Sequence, residues 1–422
     1  MRLILPMYCA TLRNRLYMRR MSTIQKSHKI ALRPTVAQER FLRQQAGFAR
    51  RAYNDAVARF KAGIDADPPQ WLGLRELSSA HTQDKLHPDN AWMRECIAVA
   101  GFQAVRHAAE AVRRWGAYRK SLKAGAPARY VGAPRFHSRA GRWSFTVTGG
   151  ALYNSQIRDK AIRIPKVGWI KMREPLRFEG RVHTMTISRH GERWYASCAV
   201  DTGEPVPEPG SRRGPTIAAH PGVRVLLTEQ SADETERAIY TEPPRSLDRS
   251  LRRLRTLDKA IARSRTTHGS EPSGRRRRLE ARRRRLHARA SDIRHDVQHR
   301  ISRTLIDRAG VVRLEQWDTA GMLRMRDDGL PRRVSRRLHR DLADAAPASL
   351  VHKIDYKAQW AGVLMERYPR GYPSSTKCSE CGFINEPTPN MLFSCHRCGF
   401  DMNREANATW NMQQDSPCQE KT

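Results

Sequence analysis

The sequence predicts a multidomain protein of mixed α+β and α/β class, with an N-terminal helical lobe and a small β-barrel before an α/β C-terminal half. Three observations support this prediction. Apolar residues recur at helical spacing up to about residue 122, they alternate between residues 143 and 200, and strand-like and helix-like segments alternate after residue 216. A chain of 422 residues exceeds the size at which one core keeps growing, so two or three structural units are expected.

Net charge is the dominant feature of the composition. Lys and Arg outnumber Asp and Glu by 78 to 42, which gives a formal net charge of +36. Such an excess works against compactness unless a polyanion neutralises it. No apolar run approaches the roughly 20 residues that a membrane-spanning helix needs, so no membrane partner is expected. Nucleic acid is the expected partner, because Lys and Arg contacts to phosphates release counterions.

The first part of the chain predicts a short strand followed by a basic helical lobe. Residues 1–26 form a basic extension that lacks the order of a signal peptide and is compatible with a wrongly assigned start. Residues 28–33 alternate between apolar and polar types, and helical spacing follows. Arg50 and Arg51 lie in this helical region as candidate nucleic-acid contacts. A solvated basic face is the plainer alternative for them.

The residue pattern changes twice in the middle of the chain. Residues 125–142 are rich in Gly, Pro and basic residues, which is typical of a linker or a phosphate-contacting loop. Between residues 143 and 200, apolar and polar residues alternate in runs that Gly and Pro interrupt, which predicts short strands of a small β-barrel. Residues 201–214 combine Pro, Gly and charge and are the predicted inter-domain linker.

The C-terminal half begins with a strand candidate at residues 217–227, with Gly222 in its middle, and continues with a predicted helical pair. A dense run of arginines lies between the two apolar stripes of the pair. Like charges at this density repel and favour phosphates, although a solvated helix face is the usual explanation of a charge run. Residues 311–315 then predict a buried strand that ends on the carboxylate of Glu315. The arginines of the run are Arg275, Arg276, Arg277, Arg278, Arg282, Arg283, Arg284 and Arg285.

Four of the eight cysteines form the strongest local motif. Cys378 and Cys381 make one C-x2-C pair, and Cys395 and Cys398 make a second pair after thirteen residues. Two such knuckles predict one closed, tetrahedral, structural Zn²⁺ site. His396 is interpreted as a spectator. A single metal site without a disulfide framework is typical of a reducing compartment, so a cytoplasmic, nucleoid-associated protein is expected.

Several segments in this order resemble one family. They are ALRPT…AGFARRAYN from Ala31 to Asn54, GAPRFHS from Gly132 to Ser138, TISRHGERWYAS from Thr186 to Ser197, LEQW, and CSECGF…CHRCGFDMNREANATWN at the C-terminal end. Together they resemble the TnpB proteins of insertion sequences and the compact type V CRISPR effectors. The resemblance extends from about residue 27 to residue 412, and its most specific part is the cysteine ribbon with the segment that follows it.

The resemblance implies an architecture in which the helical lobe is inserted in a wedge-like β-barrel. A split RuvC-like RNase H fold with an inserted zinc ribbon would follow. The implied divisions are a basic extension at 1–26, a strand and recognition lobe at 27–124, the barrel at 125–200, the linker at 201–214, a RuvC-like part at 215–371 with a helical-pair insertion at 246–310, the zinc ribbon at 372–400, the last RuvC motif at 401–415, and a tail at 416–422.

The resemblance also implies RNA-guided recognition of DNA, with guide RNA and target DNA as partners. The oligomeric state stays open between a monomer and a homodimer on one RNA. Family members place three carboxylates, Asp, Glu and Asp, around two divalent ions. The matching positions here are His220, Glu315 and Glu405, so the predicted site departs from the pattern at two of three residues. A neutral imidazole suits Mg²⁺ poorly and softer ions such as Mn²⁺ better, so Mg²⁺ or Mn²⁺ binding is expected to be weak.

Three functional hypotheses follow from this departure. The leading one is a DNA-binding protein with an inactivated or severely weakened nuclease site, which acts by occupying its target and blocking transcription. The alternative is an active RNA-guided endonuclease that uses a variant His/Glu/Glu metal site. The third is a zinc-ribbon DNA-binding accessory of a transposon without guide RNA. His220 itself is interpreted either as a structural residue that fills an emptied pocket or as a ligand or base.

Overall fold

The computed structural model describes residues 23–126, 128, 130–139, 141, 143–148, 157–233, 238–268, 273–316, 332–369, 371–386 and 391–415. The predicted basic extension up to residue 22 and the predicted tail at 416–422 lie outside the described residues. The chain divides into two compact units, Met1–Pro205 and Val206–Thr422, and the division falls within the segment predicted as a linker. Among the described residues, no helix is both long and apolar enough to cross a bilayer.

The first unit contains an antiparallel sheet of seven strands with the order β2-β6-β7-β1-β5-β4-β3. Its first strand already begins at Thr23, so the predicted boundary at residue 27 falls inside that strand. The strands are β1 (Thr23–Arg33), β2 (Trp143–Thr148), β3 (Ile157–Arg158), β4 (Ala161–Ile164), β5 (Gly168–Met172), β6 (Arg181–His190) and β7 (Arg193–Pro205).

The prediction of a β-barrel is wrong for the residues that the structure describes. A barrel requires the two outer strands to pair, whereas β2 and β3 are the opposite ends of the strand order and do not pair with each other. β3 is only two residues long, which leaves little backbone for a closing ladder. The sheet is therefore open.

Three α-helices of the first unit lie in the sequence between β1 and β2, which are strands of the same sheet. The first helix begins with a capping box, in which the Thr35 side chain and the Gln38 side chain each bond the other residue's backbone N–H. The buried face of this helix is rich in alanine and packs against strand residues of the seven-stranded sheet in one hydrophobic core. The helices are α1 (Val36–Ile64), α2 (Leu74–Leu86) and α3 (Ala98–Lys123).

The second unit contains a mixed sheet with the order β10-β9-β8-β11-β12. β8, β11 and β12 are parallel, whereas β8, β9 and β10 are antiparallel. The strands are β8 (Thr216–Pro221), β9 (Leu227–Ser231), β10 (Ile239–Thr241), β11 (Val311–Glu315) and β12 (Leu364–Tyr368), with β13 (Leu392–Ser394) and β14 (Asp401–Asn403) in a separate ribbon. The helices are α4 (Arg245–His268), α5 (Gly274–Arg308), α6 (Arg332–Ala345), α7 (Pro347–Ala361) and α8 (Arg404–Gln414).

The two faces of this sheet are covered by different helices. On one face, buried strand residues pack in one core with residues of α5 and α7, including Leu305 and Ile354. On the other face, Ala218 packs with Met412 of α8. His220 and Glu315 lie on the α8 face, because side chains two residues apart in a strand share a face and Glu315 follows the partner of Ala218 by two positions.

The strand predicted across residues 217–227 is instead two antiparallel strands, β8 and β9, joined by a tight turn. Pro221 ends the first of these strands, and the Gly222 N–H donates to the Leu226 carbonyl. A Cβ atom on Gly222 would lie 2.5 Å from the Val225 carbonyl oxygen, so the turn requires glycine. The chain reversal brings Thr228 directly opposite His220.

Candidate functional site

The four cysteines converge at one point in the second unit. Cys378 Sγ lies 3.7 Å from Cys398 Sγ, Cys381 Sγ lies 3.6 Å from Cys395 Sγ, and all four sulfur atoms lie within 4.8 Å of one another. Each pair sits on a knuckle turn that ends at a glycine with positive φ, Gly382 at +72° and Gly399 at +74°. The sequence reasoning therefore predicted this cluster correctly.

The geometry of the cluster suits one tetrahedral ion. Zn–S bonds of about 2.3 Å place neighbouring sulfur atoms about 3.8 Å apart in a tetrahedron, close to the two short separations here. Asn385 supports the second knuckle, because its side-chain oxygen accepts the His396 N–H at 2.9 Å. His396 is exposed and is not part of the cluster that the described residues form.

Three asparagines spaced four residues apart connect the cysteine ribbon to α8. The Asn403 side chain caps the helix by accepting the N–H groups of Glu405 and Ala406 at 2.9 and 3.3 Å. The side chains of Asn407 and Asn411 each donate to the Lys377 carbonyl at 2.7 Å, directly before the first cysteine. The ribbon and the helix that carries Glu405 are therefore held together by partly buried hydrogen bonds from two buried asparagines.

His220 and Glu315 meet at one edge of the five-stranded sheet. β8 and β11 are parallel neighbours, so their carboxyl ends lie side by side. His220 Nδ1 lies 3.9 Å from Glu315 Oε2, and both side chains are mostly buried, with 13% and 17% exposed. Two ligand atoms at about 2.1 Å from one ion lie at most about 4.2 Å apart, so one divalent ion can reach both. The Ser374 hydroxyl donates to the other Glu315 oxygen.

Glu405 reaches the same edge from the first turn of α8. Its Oε2 accepts the Thr228 hydroxyl at 3.0 Å, and Thr228 lies opposite His220 on β9. A Cβ atom on Gly222 would lie 3.2 Å from Glu405 Oε1, so glycine keeps this approach open. The side chain is buried, with 5% of the residue exposed.

The three predicted nuclease positions therefore lie around one edge without forming a closed cluster. Within the described parts of the chain, only the four cysteines bring three or more ligand atoms within 4.8 Å of one another. Two divalent ions about 3.5–4 Å apart need ligands that are spread over a wider span than this. The arrangement is thus an open set of one nitrogen and two carboxylates.

Burial controls the protonation of the site. Burial, reinforced by the nearby Arg404 guanidinium, lowers the pKa of His220 to about 4, so the imidazole is neutral near pH 7 and offers a lone pair. Burial raises the pKa of Glu315 to about 7. Burial also raises the pKa of Glu405, although the Thr228 hydrogen bond and the positive charges of Arg404 and Arg224 act in the opposite direction. Cation binding at this edge would need both carboxylates ionised.

Metal-free wild-type protein is expected to lose stability relative to Glu315→Gln as the pH rises from about 5 to about 8. The folded-state pKa of about 7 exceeds the ordinary 4.5, so across this window the folded state keeps a proton that the unfolded chain has lost, and stability falls as pH rises. The full difference is on the order of 3 kcal/mol. Thermal unfolding of both proteins across the pH range measures it. The opposite contribution of His220 is common to both proteins and cancels, and parallel profiles would contradict the prediction.

The predicted arginine contacts divide into two groups. Arg51 pairs with Asp55 at 2.6 Å, and the Arg50 guanidinium lies 5.7 Å from the centre of the Trp143 ring. On α5, Arg276 pairs with Glu280, and Arg283 pairs with Asp258. The other predicted α5 arginines are exposed and form no ion pair among the described residues: Arg275, Arg277, Arg278, Arg282, Arg284 and Arg285.

The sequence reasoning missed the residues that orient the predicted ones. Thr228 and Ser374 hold Glu405 and Glu315, and no local pattern marks either of them. The asparagines of α8 had a visible signal, because their spacing of four places Asn403, Asn407 and Asn411 on one helix face.

Replacing Cys398 with serine is expected to reduce the zinc content from one ion per chain to near zero and to lower the melting temperature. Three thiolates and a hydroxyl bind a closed structural site far more weakly than four thiolates. Elemental analysis of gel-filtered protein measures the change. His396→Ala is the matched control in the same knuckle and is expected to keep its zinc. A fully loaded Cys398→Ser protein would contradict the assignment.

Three family profiles match parts of this chain. Residues 21–65 match a profile described as "Helix-turn-helix domain", residues 197–326 match "Probable transposase" of the OrfB/IS605 type, and residues 348–412 match "Cas12f1-like, TNB domain". The last match contains both cysteine pairs and most of α8. Over the described part of the first match, the structure has strand β1 and the single helix α1.

Curated relatives match nearly the whole chain. Two proteins from Mycobacterium tuberculosis strains, each named "Putative RNA-guided DNA endonuclease", are 31% identical over 415 residues, and the match covers 92% of this chain and 85% of theirs. InsQ of Escherichia coli K12, which carries the same description, is 22% identical over 92% of this chain and 91% of its own. The chain belongs to the TnpB family of insertion-sequence proteins.

Solved structures show weaker likeness. A Cas12f1–sgRNA–target DNA complex is 12% identical, covers 93% of this chain and 99% of its own, and has a TM-score of 0.49. A CRISPR-Cas12f ternary complex is 14% identical, covers 92% and 82%, and has a TM-score of 0.36. Family membership rests on the sequence relatives.

Proposed function

We propose that this chain is an RNA-guided DNA endonuclease of the TnpB type that cuts with a variant site of His220, Glu315 and Glu405. The observation that carries this proposal is the meeting of His220 and Glu315 at 3.9 Å, on adjacent parallel strand ends. The names of the relatives support endonuclease activity over the expectation of an inactive nuclease. Guide RNA and target DNA are the proposed partners, in keeping with the net charge of +36.

The proposed site holds divalent ions softer than Mg²⁺, with Mn²⁺ as the best candidate. Divalent ions at such a site stabilise the attacking and leaving oxygens of a phosphodiester. His220 contributes a neutral nitrogen, which suits Mn²⁺ better than Mg²⁺, and Glu315 and Glu405 contribute the negative charge. Ser374 and Thr228 hold the two carboxylates in place through their hydroxyls.

The second unit is proposed to be a RuvC-like RNase H fold with an inserted ribbon. Its support is the mixed five-stranded sheet with helices on both faces and the three site positions around one strand-end edge. The cysteine cluster is proposed to bind Zn²⁺ as a closed structural site. Since Asn407 and Asn411 tie the base of the ribbon to α8, zinc would also position Glu405.

Target occupancy without cutting is the second candidate function. It is favoured by His220, because a neutral imidazole stands where the family pattern has an aspartate and leaves the site with one negative charge fewer. In this case the protein would still need its guide RNA and a matching DNA target for binding, as the endonuclease would, but it would leave the DNA intact. The two candidates differ in cleavage alone.

One experiment separates these functions. RNA that co-purifies with the full chain is sequenced, and a plasmid carrying its matched target is incubated with the complex in Mg²⁺ or Mn²⁺. Cut plasmid with wild type and none with Glu315→Ala supports the endonuclease. Tight RNA-dependent binding without cutting in either ion supports occupancy. Random RNA fragments in place of a discrete species would overturn both and favour a DNA-binding accessory.

A further inference from the structure

The helical hairpin of α4 and α5 contains a small cavity beside its apolar seam. The seam is formed by Leu247, Leu254 and Ala290, with Leu251 and Leu286 packed against them. The cavity has a volume of about 70 Å³, several times the roughly 10–15 Å³ that one water needs. Its lining residues, here named the arginine notch, are Ser246, Arg249, Ser250, Arg253, Leu286 and Arg289.

The notch concentrates positive charge that no carboxylate of the described residues neutralises. Within the described residues, Arg249, Arg253 and Arg289 form no ion pair, and no carboxylate lines the cavity. Other arginines of the same hairpin do have acidic partners at 4.0 Å or less: Arg252 with Asp248, Arg255 with Asp341 and Asp344, and Arg283 with Asp258. Three guanidinium groups around one cavity repel one another unless an anion lies between them.

The chemistry of the lining selects an oxyanion. Ser246, Arg249, Ser250 and Arg253 lie at spacings of three and four along α4, so they share one face of the helix. The buried Ser250 hydroxyl donates to the Ser246 carbonyl at 2.8 Å, so its proton is already used. The remaining donors are guanidinium N–H groups and the Ser246 hydroxyl. A guanidinium group can donate two parallel hydrogen bonds to two oxygens of one phosphate.

We propose that the arginine notch binds one backbone phosphate of a nucleic acid. The site is distinct from the arginine run of α5 between residues 275 and 285, and it rests on the proposed function only in the choice of a nucleic acid as ligand. The phosphodiester can come from the RNA that the protein carries or from its DNA target. Single-stranded RNA and duplex DNA differ in how their phosphates are spaced, so separate binding assays distinguish the two sources.

The test compares two triple variants of the full chain with equal loss of charge. Arg249→Gln/Arg253→Gln/Arg289→Gln removes the notch. Arg252→Gln/Arg255→Gln/Arg303→Gln removes arginines of the same hairpin that have carboxylate partners and lie outside the arginine run, since Arg303 pairs with Asp307 at 2.7 Å. Binding of a 20-nucleotide RNA and of a 20-base-pair DNA, both of arbitrary sequence, is measured by fluorescence anisotropy across a salt series. These probes need no guide, so absence of guided cleavage would not affect the result.

The notch variant is expected to bind one of the two probes on the order of tenfold more weakly at about 100 mM salt, with a salt slope smaller by about 0.7 for RNA or about 0.9 for DNA. The control variant is expected to lose clearly less affinity for either probe. A loss confined to RNA or to DNA supports the site and identifies the source of the phosphate. Equal losses in the two variants, or no loss in the notch variant, would overturn the proposal.

Discussion

Glu315→Gln is expected to reduce guided DNA cleavage on the order of a thousandfold and to leave RNA and DNA binding unchanged. Glu315 is the carboxylate that meets His220, with its oxygen 3.9 Å from Nδ1. Glutamine keeps the size of the side chain and its contact with Ser374 but removes the negative charge that a divalent ion needs. Single-turnover cleavage of a matched plasmid in Mn²⁺, beside a gel-shift titration, measures the two effects separately.

Asp401→Asn is the matched control for this experiment. Asp401 belongs to the same C-terminal segment as Glu405 but lies exposed on β14, where it pairs with Ser394 in the ribbon. Its loss of one negative charge is therefore expected to leave cleavage unchanged. If Glu315→Gln cleaves at the wild-type rate, the sheet edge is not the nuclease site. If Asp401→Asn abolishes cleavage, Asp401 of the ribbon, and not Glu405, is the third metal ligand.

His220→Asp is expected to increase Mg²⁺-supported cleavage by about ten- to a hundredfold and to reduce the preference for Mn²⁺. The substitution places a second carboxylate beside Glu315 at the end of β8. Mg²⁺ prefers oxygen ligands in tight octahedral geometry, so the added oxygen and charge favour it directly. Without metal, the two carboxylates repel each other, so the variant is expected to be less stable at high pH in a chelator.

His220→Asn separates charge from shape in this position. Asparagine resembles aspartate in size and offers an oxygen without a negative charge, so it is expected to give little gain in Mg²⁺. Cleavage is measured for wild type and both variants in Mg²⁺ and in Mn²⁺. If His220→Asp and His220→Asn behave alike in Mg²⁺, the residue does not stand at a metal-bridging position and the structural interpretation of the histidine is favoured.

Much of the site could be predicted from local patterns. The two C-x2-C pairs are close in sequence, and their glycines mark the knuckle turns, so the cluster of Cys378, Cys381, Cys395 and Cys398 needed no knowledge of distant contacts. The buried strand that ends at Glu315 was visible as an apolar run before a carboxylate. The position of Glu405 follows from the resemblance of the segment after the ribbon to the TnpB proteins, and the structure puts this residue in the first turn of α8.

Other features depended on pairing that local patterns do not show. Alternation predicted strands between residues 143 and 200 but could not show whether the outer strands pair, and the sheet is open among the described residues. The prediction of one strand at residues 217–227 missed the turn at Gly222, whose tight approach to Val225 depends on two strands folding back on each other. Both errors concern which strands pair and where the chain reverses, and local alternation of residue types determines neither.

By itself, the sequence determined the strong positive charge and the cysteine ribbon, which follow from composition and short-range spacing. The three candidate nuclease positions follow only from the resemblance to the TnpB proteins. Only the tertiary structure decided that His220 and Glu315 meet and that Thr228 holds Glu405. It also decided that three arginines without an ion pair among the described residues surround one cavity in the α4–α5 hairpin. The physical reason is that parallel strand pairing and helix packing bring together residues that are far apart in the chain, and burial then sets their protonation.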